Sequence, residues 1–395
     1  RSFENLKRLR RRLEEELLPA MTAQAEELQK QDLSSLADAD LAAEIERRHE
    51  IKAHWVAVYW RDFIPFAHGM RLFGQLYNDA LRPADPYEFM ALLSGAPLAS
   101  LDRNRRLAEM ADHLRQDRDQ AEKIRQGEIN ALSPAVQQLL NDFLSTYGDL
   151  SCPVTGGQCQ QGPQAVLHLV QELAAHPPRL VAVAPASIPA LTEAFLSRFA
   201  GAKRTEAAEI LDLARASYRL RDDDNIYLGR IEAQELKARQ EAHRRLAERG
   251  LEVPGDLPTE ELSRALLDGT YQPRVPEKKT TASNQTQIRA RQLIGQPAGP
   301  GLAQGPARVI ASFSDLTHFK HGEVLVCDAV DPNMTFVVPL AAAVVERRGG
   351  MLIHGAIIAR EYGLPCVTGV PEATSLIRSG DALTVDGYLG IVVIE

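Results

Sequence analysis

The chain has 395 residues, 45% of them hydrophobic and 25% charged, with a formal net charge of −8, the size and balance of a globular protein of two domains. The net negative charge offers no basic face for nucleic acid or an anionic membrane surface, and every apolar stretch is broken by charge well short of the roughly 18 residues that a membrane span needs. The four cysteines, Cys152, Cys159, Cys327 and Cys366, lack the two-residue spacing of zinc and redox motifs and read as reduced thiols in a cytoplasmic protein.

The chain opens at Arg1 inside "RSFENLKRLRRRLEEELL", already helical in pattern, as expected if something once preceded it. From Ser2 to about Gly250, strong helix formers at helical periodicity dominate, and few β-branched runs interrupt them. "LSSLADADLAAEIERRHEIKAHW" offers Ser and Asp caps before an apolar-periodic stretch, and "ALSPAVQQLLNDFLSTYG" places Ser133 and Pro134 at a helix start and Gly148 near its stop. Gly148 to Gln164 is a glycine- and proline-rich loop. "RLVAVAP", from Arg179, reads equally as a strand or the start of a buried helix.

Between Tyr271 and Ala290, "YQPRVPEKKTTASNQTQIRA" has almost nothing to bury. It is expected to be a flexible linker, reaching roughly 70 Å when extended and about 25 Å as a coil, a tether that lets a domain visit two places. Beyond it, "ARVIASF", "GEVLVCDAV", "AAAVVE", "PCVTGV", "DALTVDG" and "GIVVIE" read as short strands, and "HGAIIAREYG" and "NMTFVVPLAA" as helices. The expected fold is therefore multidomain: a mainly α-helical N-terminal domain over 1–270, a linker over 271–292 and a compact α/β domain over 293–395.

One residue of that last domain stands apart. In "GGMLIHGAIIAREYGLPCVTGV", Gly349 to Val370, a helix of about two and a half turns begins near Ile353 or His354, and Gly363 and Pro365 stop it. The pair Gly349 and Gly350 allows close backbone approach and positive φ, while the unpaired first-turn N–H groups, from Gly355 and Ala356 onward, carry the positive end of the helix dipole. A neutral imidazole there is a nucleophile whose phosphorylated form lays its oxygens near those groups. Taken alone, a lone histidine after glycines reads more simply as a cap or a packing residue.

The whole string resembles the phosphohistidine signature of the swivelling domain in phosphoenolpyruvate-utilising enzymes, a family that includes phosphoenolpyruvate synthase, pyruvate phosphate dikinase, rifampin phosphotransferase and phenylphosphate synthase. "GQPAGPGLAQGPARVI", "DPNMTFVVPLAAAVVERRGG" and "IRSGDALTVDGYLGIVVI" extend the resemblance over about a hundred residues. It implies a β/β/α swivelling phosphohistidine domain whose residue at the position of His354 carries the phosphoryl group. Where the family usually places Thr or Ser before the histidine, this chain has Leu352 and Ile353. More weakly, "LSSLADADLAAEI", "DFLSTYG" and "ARASYRLRDDDNIYLGRIEAQELKARQEAHRRLAERG" resemble the helical region of synthase-like and rifampin-phosphotransferase-like members, which implies a place for the acceptor near Tyr147.

Within that helical region Arg215, Arg219 and Asp222 or Asp223 share a face at i, i+4 and i+7 or i+8. They are either a salt-bridged surface or a cluster that meets the phosphoryl group when the swivelling domain docks. Asp222 to Asp224 point three ways on a helix, so no metal site is assigned. "HWVAVYWRDFIPFAHGMRLFGQLYND" reads as a buried helix or, alternatively, as the wall of an aromatic acceptor pocket with His54 or His68 as base. Nothing resembles an ATP-grasp domain. The expected function is a phosphotransferase component in which a separate or upstream ATP-grasp nucleotide-binding partner, using ATP and Mg2+, loads His354, and the mobile domain passes the group to a small-molecule acceptor. No cofactor is expected on this chain itself. A synthase-like component with pyruvate as acceptor and a non-catalytic binding or regulatory protein are the alternatives.

Overall fold

The computed structural model describes all residues except 1, 85, 94–97, 129–130, 149–162, 178–186, 256, 269–290, 312–314, 317, 332–333 and 351–352. The expected loop after Gly148, the "RLVAVAP" segment, nearly all of the expected linker, Cys152, Cys159 and Leu352 fall outside the described residues.

Eleven helices make the first part of the described chain: α1 (Ser2–Arg12), α2 (Leu18–Gln29), α3 (Asp38–Val58), α4 (Ile64–Leu81), α5 (Ala99–Gln116), α6 (Arg118–Arg125), α7 (Pro134–Tyr147), α8 (Pro163–Ala175), α9 (Ser187–Leu196), α10 (Ala202–Glu248) and α11 (Thr259–Leu267). Wide π-type turns at Leu13–Leu17 and Tyr59–Phe63 run directly into α2 and α4, each of which has a proline, Pro19 or Pro65, in its first turn. Proline has no N–H to give the preceding turn and crowds the carbonyl four residues back, so the coil opens there without breaking. The mast of the domain is α10, 47 residues and so about 70 Å long, with α1 to α5 and α11 packed along it. Ser133 caps α7 by accepting the Val136 N–H. The start of α3 differs from expectation: Ala37 occupies the cap, and Asp38 lies inside the first turn, where it pairs with Arg245 at 3.0 Å. No described helix is long and apolar enough to cross a membrane.

Among the described residues the C-terminal part holds eight strands, β1 (Gln292–Ile294), β2 (Gln296–Gly299), β3 (Leu302–Val309), β4 (Val324–Cys327), β5 (Ala343–Glu346), β6 (Cys366–Thr368), β7 (Ala382–Asp386) and β8 (Ile391–Ile394), in the order β1-β8-β7-β3-β4-β5-β6-β2. The run β3-β4-β5-β6 is parallel and the other pairings are antiparallel. Every residue of β4, β5 and β6 is buried, as continuous apolar runs in a covered parallel sheet require. From Met334 onward "NMTFVVPLAA" forms successive turns and one short 3-10 helix, Val338–Leu340, not the expected α-helix; Pro339 within it cannot donate to a longer coil. The crossover from β5 to β6 carries α12 (His354–Glu361), and a one-turn helix, α13 (Ala373–Leu376), follows β6. Thus His354 lies just beyond the carboxyl end of β5, where open parallel sheets present their loops.

The two parts meet over a mixed seam. One buried cluster takes Phe73, Leu92 and Leu107 from the helices and Phe336, Val337 and Tyr362 from the sheet domain. Polar bonds cross it as well: Tyr218 donates to Glu361 at 2.6 Å, and Asn104 donates to the Thr335 carbonyl and the Tyr362 hydroxyl, both at 3.0 Å.

Candidate functional site

The loop before α12 is held by backbone geometry. Gly350 has φ +145, and a Cβ there would stand 2.8 Å from Ile353; Thr368 on β6 pins the same residue, accepting its N–H at 3.3 Å and donating to its carbonyl at 3.2 Å. Ile353 is the cap residue of α12, extended and without a side-chain cap bond. The helix ends with Gly363 at φ +63. Gly355 has a steric reason to be glycine, because its Cβ would lie 2.7 Å from the Glu346 carboxyl group. Glu346, the last residue of β5, is fully buried. Its Oε1 accepts the Val330 N–H at 2.6 Å, Oε2 has no partner, and burial raises the carboxyl to about 8, so it sits neutral beneath the first turn.

His354 is 3% exposed, and neither ring nitrogen has a hydrogen-bond partner. Its Nδ1 stands 3.5 Å from Oδ1 of Asp222 on α10, across the seam. That is electrostatic contact, slightly longer than a hydrogen bond. Burial lowers the imidazole to about 4; Asp222 opposes the shift, and Arg221 and Arg103 add to it. The ring is therefore neutral near pH 7. Asp222 is itself held by Ser100 at the start of α5, accepting its N–H at 2.9 Å and its hydroxyl at 2.6 Å. One turn further along α5, Arg103, 1% exposed, donates to the Thr335 hydroxyl and stacks on Phe336. A neutral imidazole thus faces one carboxylate and two guanidinium charges contributed by the other domain.

The residues expected to form a docking cluster divide. Asp223, next to Asp222, accepts the Ala99 N–H at 3.2 Å, and Tyr147 reaches the Ala99 carbonyl at 3.4 Å and Asp102 at 2.8 Å. Both brace the first turn of α5, which delivers Ser100 and Arg103 to His354. Burial, with help from Asp222, raises Asp223 to about 7; burial also raises the Tyr147 phenol. Arg215 instead donates to the Leu92 carbonyl and Thr192, and Arg219 pairs with Glu14 at 3.3 Å, so Arg215 holds helices together and Arg219 acts on Asp223 only through its charge. In the aromatic segment Trp55, Phe63, Phe66 and Phe73 are core. His54 is exposed, edge-on to Trp55, and exposed His68 lies against the carbonyls of Ile64 and Pro65. Ser100, Arg103 and Glu346 carry no signature in the sequence and are found only through the fold. Among the described residues no group of three His, Cys, Asp or Glu could hold a metal ion.

A buried histidine opening the crossover helix of a small mixed-sheet domain, docked on a helical partner, defines the swivelling class of α/β domain. In agreement, residues 319–390 match the family model "PEP-utilising enzyme, mobile domain", which identifies that part of the chain as a domain of this kind. It is 41% identical over 102 residues to the uncharacterized phosphotransferase YvkC of Bacillus subtilis (strain 168), covering 26% of this chain and 12% of that protein. It is 36% identical over 118 residues to the phosphoenolpyruvate synthase of Pyrococcus furiosus, covering 29% and 14%. To chondramide synthase cmdD of Chondromyces crocatus it is 40% identical over 102 residues, covering 26% and 3%. The chain thus matches well under a fifth of the length of these relatives. A solved structure of Enzyme I (nEIt) aligns over 75% of this chain and 79% of that one at 12% identity with a TM-score of 0.21, too slight a likeness to carry an argument.

Proposed function

We propose that this chain is a phosphotransferase component in which His354 carries a phosphoryl group from an ATP- and Mg2+-using nucleotide-binding partner or upstream domain to a small-molecule acceptor held by the helical domain. The observation that carries the reading is a buried imidazole at a helix start, without a hydrogen bond, facing Asp222 across a domain seam. Burial keeps the ring unprotonated and so nucleophilic. A carboxylate beside Nδ1 favours the tautomer with the proton there and leaves the Nε2 lone pair to attack phosphorus. The first-turn amides of α12, Arg103 and Arg221 supply positive charge for an in-line transfer, in which positioning and charge stabilisation do nearly all the work. The family includes phosphoenolpyruvate synthases, which supports pyruvate as a second reading of the acceptor. ATP labelled at the β- or γ-phosphate, incubated with the chain and an ATP-grasp protein, should give acid-labile label that His354→Ala abolishes. Wild-type chain left unlabelled by every such donor would sink the carrier role and leave a binding module.

A further inference from the structure

Among the described residues seven large apolar side chains are exposed, and four of them, Ile294, Leu302, Tyr388 and Leu389, each 65–68% exposed, gather on one turn of the mobile domain. The turn joins β7 to β8, and its backbone places the four together. The Gly387 N–H donates to the carbonyl of Gly301, next to Leu302, and the Gly390 carbonyl accepts from Gly295, next to Ile294, both at 2.8 Å. Asp386 stiffens the turn, its Oδ1 accepting the N–H groups of Tyr388 and Leu389 at 2.9 and 3.0 Å. Single exposed apolar residues need no explanation, but a cluster marks an interaction surface, and a turn already ordered loses little entropy when a partner covers it.

This face runs into the phosphohistidine loop. A Cβ on Gly390 would stand 2.9 Å from the Pro297 nitrogen, and the side chain of the neighbouring Gln296, itself exposed, borders Gly349 and Gly369. Beyond Gly349, Arg347 and Arg348 are 45% and 66% exposed and share one carboxylate, Asp328, which Arg348 meets at 2.7 Å. The rim therefore keeps a surplus positive charge in a chain of net charge −8. The helical domain, which seals His354, leaves these residues uncovered: the loop is closed at its histidine and open at Gly349.

We propose that this face is the surface by which the mobile domain docks on its phosphoryl donor, a nucleotide-binding protein or domain whose own face offers an apolar hollow edged with carboxylates. The inference rests on the carrier role of His354, which needs a second docking place besides the helical domain. The donor is the partner that must come to the phosphohistidine loop, and Gly349 lies between the apolar and the basic ends of the face. In the relatives the matched stretch is 12% and 14% of the chain, so there it lies among much other protein. A second copy fits less well, because a two-fold contact sets the face against itself, surplus positive charge included. With the face open while His354 is sealed, the donor grips the mobile domain before it leaves the helical one; the apolar turn supplies the hold and the arginines speed the approach.

The test follows label from ATP onto the full chain, delivered by the ATP-grasp protein that loads His354, as a function of chain concentration. Leu389→Asp, Tyr388→Ser and the double variant Arg347→Glu with Arg348→Glu should each raise the half-saturating concentration of chain about tenfold or more and leave the saturated rate within about twofold of wild type. Trp60→Ser, which removes the exposed tryptophan of the helical domain, should change neither. An unchanged titration of His354 by NMR shows that loop and seam are intact in each variant. A wild-type chain that takes label, with Leu389→Asp and Tyr388→Ser saturating as it does, overturns the docking face and leaves the carrier role standing. So does a loss that Trp60→Ser shares, or one confined to the charge-reversed variant, which is long-range steering alone. A wild-type chain that no ATP-grasp protein labels overturns the carrier role, and the face then has no donor to receive.

Discussion

His354 owes its neutral ring mainly to burial, and Asp222 is the group that resists the shift. Asp222→Asn should therefore lower the His354 titration below its value of about 4, whereas Arg103→Ala should raise it; histidine-labelled NMR over an acid titration checks both signs, and a ring that titrates near its ordinary value of about 6.5 would show the site open. Glu346 works in the opposite direction. The unfolded chain loses this proton near 4.5, but the folded chain keeps it up to about 8, so the stability linked to it is complete below 4.5 and lost as the pH climbs through 8. Glu346→Gln removes that loss. Urea unfolding at pH 9 should find the variant more stable than the parent by on the order of 1 kcal/mol or more, with little difference at pH 4.

The crossover helix α12 depends on the floor beneath it. Gly355→Ala forces a methyl into the Glu346 carboxyl group at 2.7 Å, and overpacking of this kind costs about 1–3 kcal/mol, to be read as a lowered Tm of the full chain. The far end of α12 is tied to α10 by the Tyr218 hydroxyl on Glu361; Tyr218→Phe should speed hydrogen exchange of α12 amides, because a hydrogen bond to a charged group is worth about 1.5–3 kcal/mol. Much of this architecture was legible beforehand. Six of the eight strands coincide with β-branched runs, and the stop of α12 follows from Gly363 and Pro365. The missed pair, β1 and β2, are three and four residues long with glycine and proline between and within them, so they hold as strands only through β8 and β6. The turns of "NMTFVVPLAA" were misread because an apolar run of that length has no periodicity to separate a helix from buried turns. At the site, the glycine loop and the histidine were visible because local backbone requirements write themselves into local sequence. Asp222 was one of two neighbours on an acidic helix turn, and only the packing of α5 decides which faces the seam: Ser100 takes Asp222, and Ala99 takes Asp223.

For the whole molecule, the proposed carrier role requires His354 to leave this seam to meet a donor, and the seam is partly apolar and sealed over the ring. Its charge balance gives a way to loosen it. Docking holds His354 at about 4, against an ordinary 6.5, so the docked form binds fewer protons than the open one between those values, and falling pH favours opening across that window. A second imidazole pair acts with the same sign: His176, just after α8, stacks on His321 of the sheet domain, centroids 4.2 Å apart and planes within 10°. Burial and the His176 charge both lower His321, with Glu172 opposing. Two protonated rings in that stack repel. Asp223 and Glu346 titrate with the opposite sign, but each is bonded inside its own domain, to Ala99 and Val330, so their protonation favours folding of the parts and not their contact. Acidification from pH 7 to 4.5 should therefore separate the domains before either unfolds, with the docking free energy falling by up to about 1.4 kcal/mol per pH unit through His354. Small-angle scattering should find the radius of gyration rising over that range while helical circular dichroism stays constant. His354→Leu with His321→Leu should flatten the response, and a wild-type radius that does not move between pH 7 and 4.5 would mean that seam protonation does not govern docking.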